Sequence, residues 1–345
     1  MKPNIQKTIY LCAAAFVLSL LYSLTSAAGL ALIPIILVCA CAGAYTVAKL
    51  ISPTKLTFLA PIGGAVCAFF ISMNVSAAIS ACIPFVCGAA IALCVTKKAK
   101  KTSAVLVCDC VMGALALLSL AVAYYISKGT LSPSAIADDV KSVFAQAENT
   151  LIETMRSIGF YDIFAKIYDV SDYTEESFIS EIAKEAIFFA KVISPAVIIT
   201  ALNIISYACV RLFELAAKIS KTEIAVPERW FIMPSAATCY VMLGSLIFYA
   251  VSSLLSSSDV GTAVGYAALN LVIILIPPLG VCGLRGLIGK LKSEAYHRGA
   301  VVILVICIVA FLINAVYGLI FISLEGVWDM IAYYRTKKYY EDQNQ

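Results

Sequence analysis

Charge is what this sequence has least of. Only 13% of its 345 residues are Asp, Glu, Lys or Arg, against about 25% in a soluble globular domain. So few charges cannot coat a water-exposed surface of this size, which excludes a soluble enzyme. Histidine is nearly absent, with only His297, and Trp occurs twice. There is no HExxH, no Walker A and no GxSxG pattern. The usual zinc-protease, P-loop and serine-hydrolase signatures are therefore missing. No basic, aromatic-studded patch is present, so nucleic acid is not an expected partner.

What fills the chain instead is apolar: 62% of residues are hydrophobic, and the mean hydropathy is +0.95. Apolar stretches run over about 8–28, 30–50, 56–73, 76–96, 103–127, 186–216, 233–256, 262–287 and 299–323. A membrane crossing takes ~20 such residues. The pattern predicts an all-α, polytopic transmembrane helix bundle of about nine spans, with the lipid bilayer as its main partner. It divides into a membrane bundle over 1–127, a polar loop over 128–183, a second bundle over 184–324 and a polar tail over 325–345. The first stretch also has signal-peptide features, with Lys2 and Lys7 before it and Ser26-Ala27-Ala28 after it. The apolar run resumes at once, as a second span requires.

Thirteen cysteines sit almost entirely inside the apolar runs. There they act as small apolar side chains that let helices approach. Cys39/Cys41 and Cys108/Cys110 are separated by one residue, so each pair projects from different helix faces. Neither a zinc site nor a redox CxxC is expected, and no metal or cofactor is predicted.

Lys and Arg flank the spans asymmetrically. Lys49, Lys55, Lys97, Lys98, Lys100, Lys101, Arg211, Lys218, Lys221, Arg285, Lys290 and Arg298 fall on one side if the N-terminus is cytoplasmic. Segment 128–183 then lies outside, with four basic and ten acidic residues, net −6. One feature conflicts. After nine crossings the tail would be outside, yet it carries Arg335, Lys337 and Lys338. The outer loop is itself expected to be helical. Ser132-Pro133 starts a helix, an apolar stripe follows from Ile136 to Met155, and Gly159 suits its end. Two readings stay open for it: a cover packed on the bundle or interface, and a gate over a substrate entrance.

Ionisable residues inside spans are candidates for function. Asp109 lies about 12 Å into the fifth helix, as a capped or paired acid or as a cation or substrate contact, with Arg285 its expected partner. Lys191 either snorkels outward or binds an anionic group. Asn203, Asn270 and Asn314 are interhelical hydrogen-bonding groups or ligand contacts. Pro195 and Pro277-Pro278 kink their helices or free carbonyls for a binding cavity. Gly280, Gly283 and Gly286 favour close helix packing.

The second half also carries Ser194-Pro195-Ala196 followed by Asn203 and Arg211, then Val226 to Pro234 with Trp230 at its centre. Pro277-Pro278-Leu279 leads to Leu284-Arg285-Gly286, and Gly326-Val327-Trp328-Asp329 precedes Arg335. In these stretches the chain resembles the YybS-like family of uncharacterised bacterial polytopic membrane proteins. That family usually has Gln where Arg285 stands. It is distantly similar to the substrate-binding subunits of energy-coupling-factor transporters. The resemblance implies a bacterial plasma-membrane protein and little chemistry. With no nucleotide-binding motif in the chain, any active transport of a small-molecule ligand needs membrane or ATPase partner subunits or an ion gradient. Many spans, broken helices, a few buried polar groups and no catalytic set lead first to a small-molecule binding or transport component needing a separate energising partner. The alternatives are a non-transporting scaffold for cell-envelope machinery and an intramembrane enzyme on lipid-linked substrate. The last is disfavoured because no catalytic constellation is visible.

Overall fold

The computed structural model describes residues 5–27, 32–52, 55–168, 173–224, 232–254 and 259–343. Trp230 of the family-like stretch lies outside them. The described residues form α1 (Ile5–Ala27), α2 (Leu32–Ile51), a 3-10 turn (Lys55–Phe58) running into α3 (Leu59–Ser72), α4 (Val75–Thr96) and α5 (Lys101–Lys128). Then come α6 (Pro133–Ser157), α7 (Phe160–Ala165), α8 (Glu175–Ile219), α9 (Ala236–Leu254), α10 (Asp259–Leu291), α11 (His297–Ile313) and α12 (Ala315–Gln343). No strand occurs among the described residues. Seven helices are long and apolar enough to cross a membrane, and α3, α9 and α11 are shorter apolar helices. Large apolar side chains stand exposed along them, including Leu117 and Leu120 on α5 and Val302 and Leu312 on α11. An apolar exterior of this extent requires lipid, and the chain is an integral membrane protein.

α2 is the axis of the N-terminal half. It is buried almost all round from Val38 to Ala48, because small residues admit neighbours on every side. A Cβ on Gly43 would lie 2.7 Å from the Leu212 carbonyl carbon of α8, and one on Gly88 of α4 would lie 2.7 Å from the Ala42 oxygen. Thr46 Oγ1 donates to Gly88 O at 3.0 Å across the second contact. Cys39 turns toward α8, donating to Ile205 O at 3.6 Å, while Cys41 turns toward α1, donating to Ala15 O at 3.2 Å. The one-residue spacing thus sends two thiols to two different helices. All thirteen cysteines are free. Gly43→Val is expected to destabilise the bundle by about 1–3 kcal/mol through overpacking, read as a lower unfolding temperature in detergent.

The segment between α5 and α8 folds as anticipated in its local signals. Pro133 occupies the first turn of α6, and Gly159 takes the left-handed conformation (φ 64°) just after it. Its cover is more local than a lid. α8 has 45 residues, about 68 Å at 1.5 Å per residue, so its first turns project beyond the bundle. Met155 of α6 and Phe160 and Phe164 of α7 pack there around Phe178, Ile179 and Ala183. At the base of α6, Asp139 accepts from Tyr124 Oη (3.0 Å) and pairs with Lys128 (3.2 Å) on α5. These contacts, Lys128 first, hold the Asp139 carboxyl below its ordinary pKa.

The apolar stretch at 299–323 is not one span. It breaks at Asn314, whose Oδ1 accepts from Val316 N (2.9 Å) to start α12. Gly318 lets the two helices pack at the bend, since a Cβ there would be 2.6 Å from the Phe311 Cβ. α12 then runs to Gln343, so the polar tail predicted from 325 is the second half of a helix. Pairings between α10 and α12 advance together: Ile276 with Ser323, Leu279 with Gly326, Gly286 with Asp329. The two helices are therefore parallel, with α11 returning between them. Ten apolar helices lie among the described residues. The tenth carries Arg335 and Lys337 to the same end as the other basic flanks, which removes the conflict in the sequence.

That basic end is tied together by side chains. Lys7 Nζ donates to Ser220 O (3.2 Å), Thr102 Oγ1 accepts from Met233 N (3.0 Å), and Tyr334 Oη donates to Pro234 O (3.0 Å). Lys101, only 3% exposed, pairs with Glu214, which also pairs with Arg211 at 2.6 Å.

Candidate functional site

The strongest site grows from the junction of α2, α4, α5 and α8. Small residues let these helices close together, and each sends one thiol inward: Cys39, Cys87, Cys108 and Cys209, all 1% exposed or less. Cys108 interacts with Cys209, Cys87 and Ser206, and Cys209 with Cys39. Among the described residues no group of His, Cys, Asp and Glu has a metal-holding arrangement.

Asp109 stands beside this thiol chain, two turns in from the Lys101–Glu214 pair. Both carboxylate oxygens are shielded and neither has a hydrogen-bond partner. The Ser206 hydroxyl faces it, yet that oxygen is also without a partner. Arg285 does not supply the expected pairing. It lies at the basic end, within electrostatic range of Lys101 and Cys282. An ion buried without a partner carries an effective penalty of several kcal/mol. Two carboxylate oxygens thus face a single hydroxyl, Ser206, and no cationic side chain pairs with them among the described residues.

The other sequence candidates lie elsewhere. Asn270 Nδ2 donates to Val192 O at 3.0 Å and to Tyr266 O at 2.9 Å, joining α10 to α8. Thr200 Oγ1 on α8 donates to Ile273 O on α10 at 3.0 Å. Ile273 is the carbonyl that Pro277 leaves without its helical N–H. Lys191 O, freed in the same way by Pro195, accepts from Ser194 Oγ at 3.0 Å. The carbonyls freed by Pro195 and Pro277 are therefore capped by side chains and do not line a cavity. Asn203 bonds only to Ile199 O of its own helix, at 3.1 Å. Lys191 reaches outward to the Phe144 ring of α6, with Nζ 5.2 Å from its centroid. Asp109, Lys191, Asn203, Asn270 and Arg285 do not form one constellation.

A second charged group lies at the α10–α12 contact. Lys290 pairs with Glu325 and, at 2.6 Å, with Asp329. Gly283 and Gly326 bring the two backbones together, and Gly286 leaves the space that Asp329 fills. Of the family-like residues, Gly286, Gly326 and Asp329 meet here. Pro234 is held by Tyr334 from the same helix, Pro195 lies exposed in α8, and Arg335 is exposed near the basic end.

Sequence reasoning passed over Ser206, Thr200, Lys290 and Glu325. Glu325 and Asp329 do carry a signal, being acids one helical turn apart directly after an apolar run. Ser206 carries none, since a single Ser in a span is ordinary. The fold and site together define a multi-pass helical membrane protein with buried polar groups near the basic end of its bundle. No protein family, curated protein or solved structure matches the chain.

Proposed function

We propose that this chain is a membrane-embedded small-molecule binding or transport component that works with a separate energising partner. The reading rests on the shielded carboxylate of Asp109, which only the Ser206 hydroxyl faces and which has no cationic partner among the described residues. Such an acid is retained against its penalty when a ligand supplies the cationic or hydrogen-bond-donating group that compensates it. The thiols and aliphatic side chains around it would exclude water and strengthen that contact. Basic flanks gathered at one end support a bacterial plasma-membrane orientation with that end cytoplasmic. The YybS-like resemblance accords with this setting, and the Gly286–Asp329 and Gly326–Leu279 contacts would be its structural core.

Asp109→Asn separates this reading from a purely architectural one. The variant keeps shape and removes the charge. It is expected to melt at a higher temperature than the parent and to lose the small molecule that co-purifies with the full-length protein, read by mass spectrometry after denaturation. If parent and variant release the same compounds in the same amounts, the binding role of Asp109 is wrong.

A further inference from the structure

The end of the bundle opposite the basic flanks holds a feature that the Asp109 site does not use. α3 has only 14 residues, about 21 Å of helix, short of the ~30 Å hydrocarbon thickness. Its turn into α4 is consequently set back. Ser76 and Ser80, in the first turns of α4, meet Ser119 of α5 at 2.7 and 2.9 Å between hydroxyl oxygens. α5 continues from Ser119 to Lys128, a further ~13 Å. The turn at Met73 and Asn74, two to three residues outward of Ser76, therefore lies about 9 Å below the last turn of α5. Its backbone is irregular, with Met73 left-handed (φ 49°) and Asn74 extended. Irregular backbone at membrane depth persists only where protein buries it or where it borders a polar cavity.

A cavity is present. A cleft of about 280 Å³ opens between α1, α3 and α4 at this turn. Ser23, Ser72, Ser76, Ser80 and Asn74 supply its polar side. Tyr22, Ile71 and Ala77 contribute to its apolar walls. Ser23 and Ser72 direct their protons to Ser19 O (3.1 Å) and Ala68 O (2.8 Å), so both present oxygen lone pairs to the cleft. Asn74 spends its Oδ1 on Ser76 N at 2.8 Å, which leaves its amide N–H groups as donors. None of the lining residues is an acid or a basic residue.

We propose that this cleft binds an uncharged, hydroxyl-bearing group of glycerol size, with apolar atoms of the same molecule against Tyr22, Ile71 and Ala77. A charged head would enter a low-dielectric recess with no counter-charge, at a penalty that hydroxyls do not meet. Hydroxyls match the lining, giving protons to the serine oxygens and accepting from Asn74. The group belongs either to a lipid of the adjoining leaflet or to a free polyol. This inference is independent of Asp109, and either can fail without the other.

The test uses the full chain in nanodiscs and a monoacylglycerol carrying a photoactivatable diazirine beside its head. Cross-links are expected to concentrate in the peptide 68–80. Ala77→Trp, which fills the cleft, is expected to reduce them about tenfold. Ser23→Ala with Ser72→Ala removes two acceptors whose other bonds are only to their own helices. It is expected to lower labelling roughly fivefold, with an unchanged elution profile that guards against misfolding. Competition by excess free glycerol supports the cleft with a soluble source, and persistence of the label supports it with a lipid source. Labelling spread evenly over the lipid-facing helices and indifferent to Ala77→Trp overturns the proposal. So does equal labelling of 68–80 by a lysophosphatidate probe of the same chain length.

Discussion

Replacing Lys290 by Met is expected to destabilise the C-terminal half by about 3–5 kcal/mol, the range for breaking a buried ion pair from one side. Lys290 neutralises two acids at once, Glu325 and Asp329, and these are only 10% and 24% exposed. Removing it leaves two carboxylates facing each other inside the α10–α12 contact. The sign of the effect depends on what remains behind. The triple variant Lys290→Met, Glu325→Gln, Asp329→Asn removes all three charges and is expected to recover most of the lost stability, because the desolvation penalty goes with them. Thermal unfolding in detergent reads both. A triple variant as unstable as the single one contradicts the electrostatic account and leaves shape as the cause.

Gly326→Val is expected to be comparably damaging, for a reason that charge cannot repair. A Cβ at Gly326 would be 2.8 Å from Gly283 N, and it would also press on the Leu279 carbonyl. Both obstacles are backbone, so no rotamer change relieves them. Overpacking of a tight core typically costs about 1–3 kcal/mol. Here the helices must separate, which also pulls Glu325 and Asp329 away from Lys290. Loss of the folded, monodisperse fraction on size exclusion is the expected readout. Gly289→Val is the control, since an added Cβ there meets nothing within 4 Å and the variant is expected to behave like the parent.

The apolar runs made the lipid-embedded helices legible, because composition and run length are enough to declare them. Tertiary detail was legible only where it was local. Pro133 and Gly159 act at the ends of α6, and the one-residue spacing of Cys39 and Cys41 sets only that the two thiols leave α2 on different faces; which helices they meet is a matter of packing. The break at Asn314 was not legible, because apolar residues continue on both sides of it. What ends α11 is a capping bond from one amide together with the space left by Gly318. The trio of Lys290, Glu325 and Asp329 was hidden for a related reason. With the last span ended at 323, its acids fell in a supposed tail, and nothing in one dimension brings residue 290 to residue 325. Asp109 stood out as a lone acid in an apolar run. That it lacks a hydrogen-bonding partner, and that Ser206 faces it, are facts of helix packing. The recessed α3–α4 turn was half legible. Fourteen residues are visibly too few, but the depth of the turn follows only from the Ser76–Ser119 register.

An even number of crossings is the claim on which the rest stands, since the tenth helix carries the α10–α12 contacts and returns the tail to the basic end. A fluorescent protein or an alkaline phosphatase fused after Gln345 reports its side in bacterial cells. Both chain ends on the cytoplasmic side predict a fluorescent fusion and an inactive phosphatase. An active phosphatase with a dark fluorescent fusion would place the tail outside and contradict the ten-helix bundle.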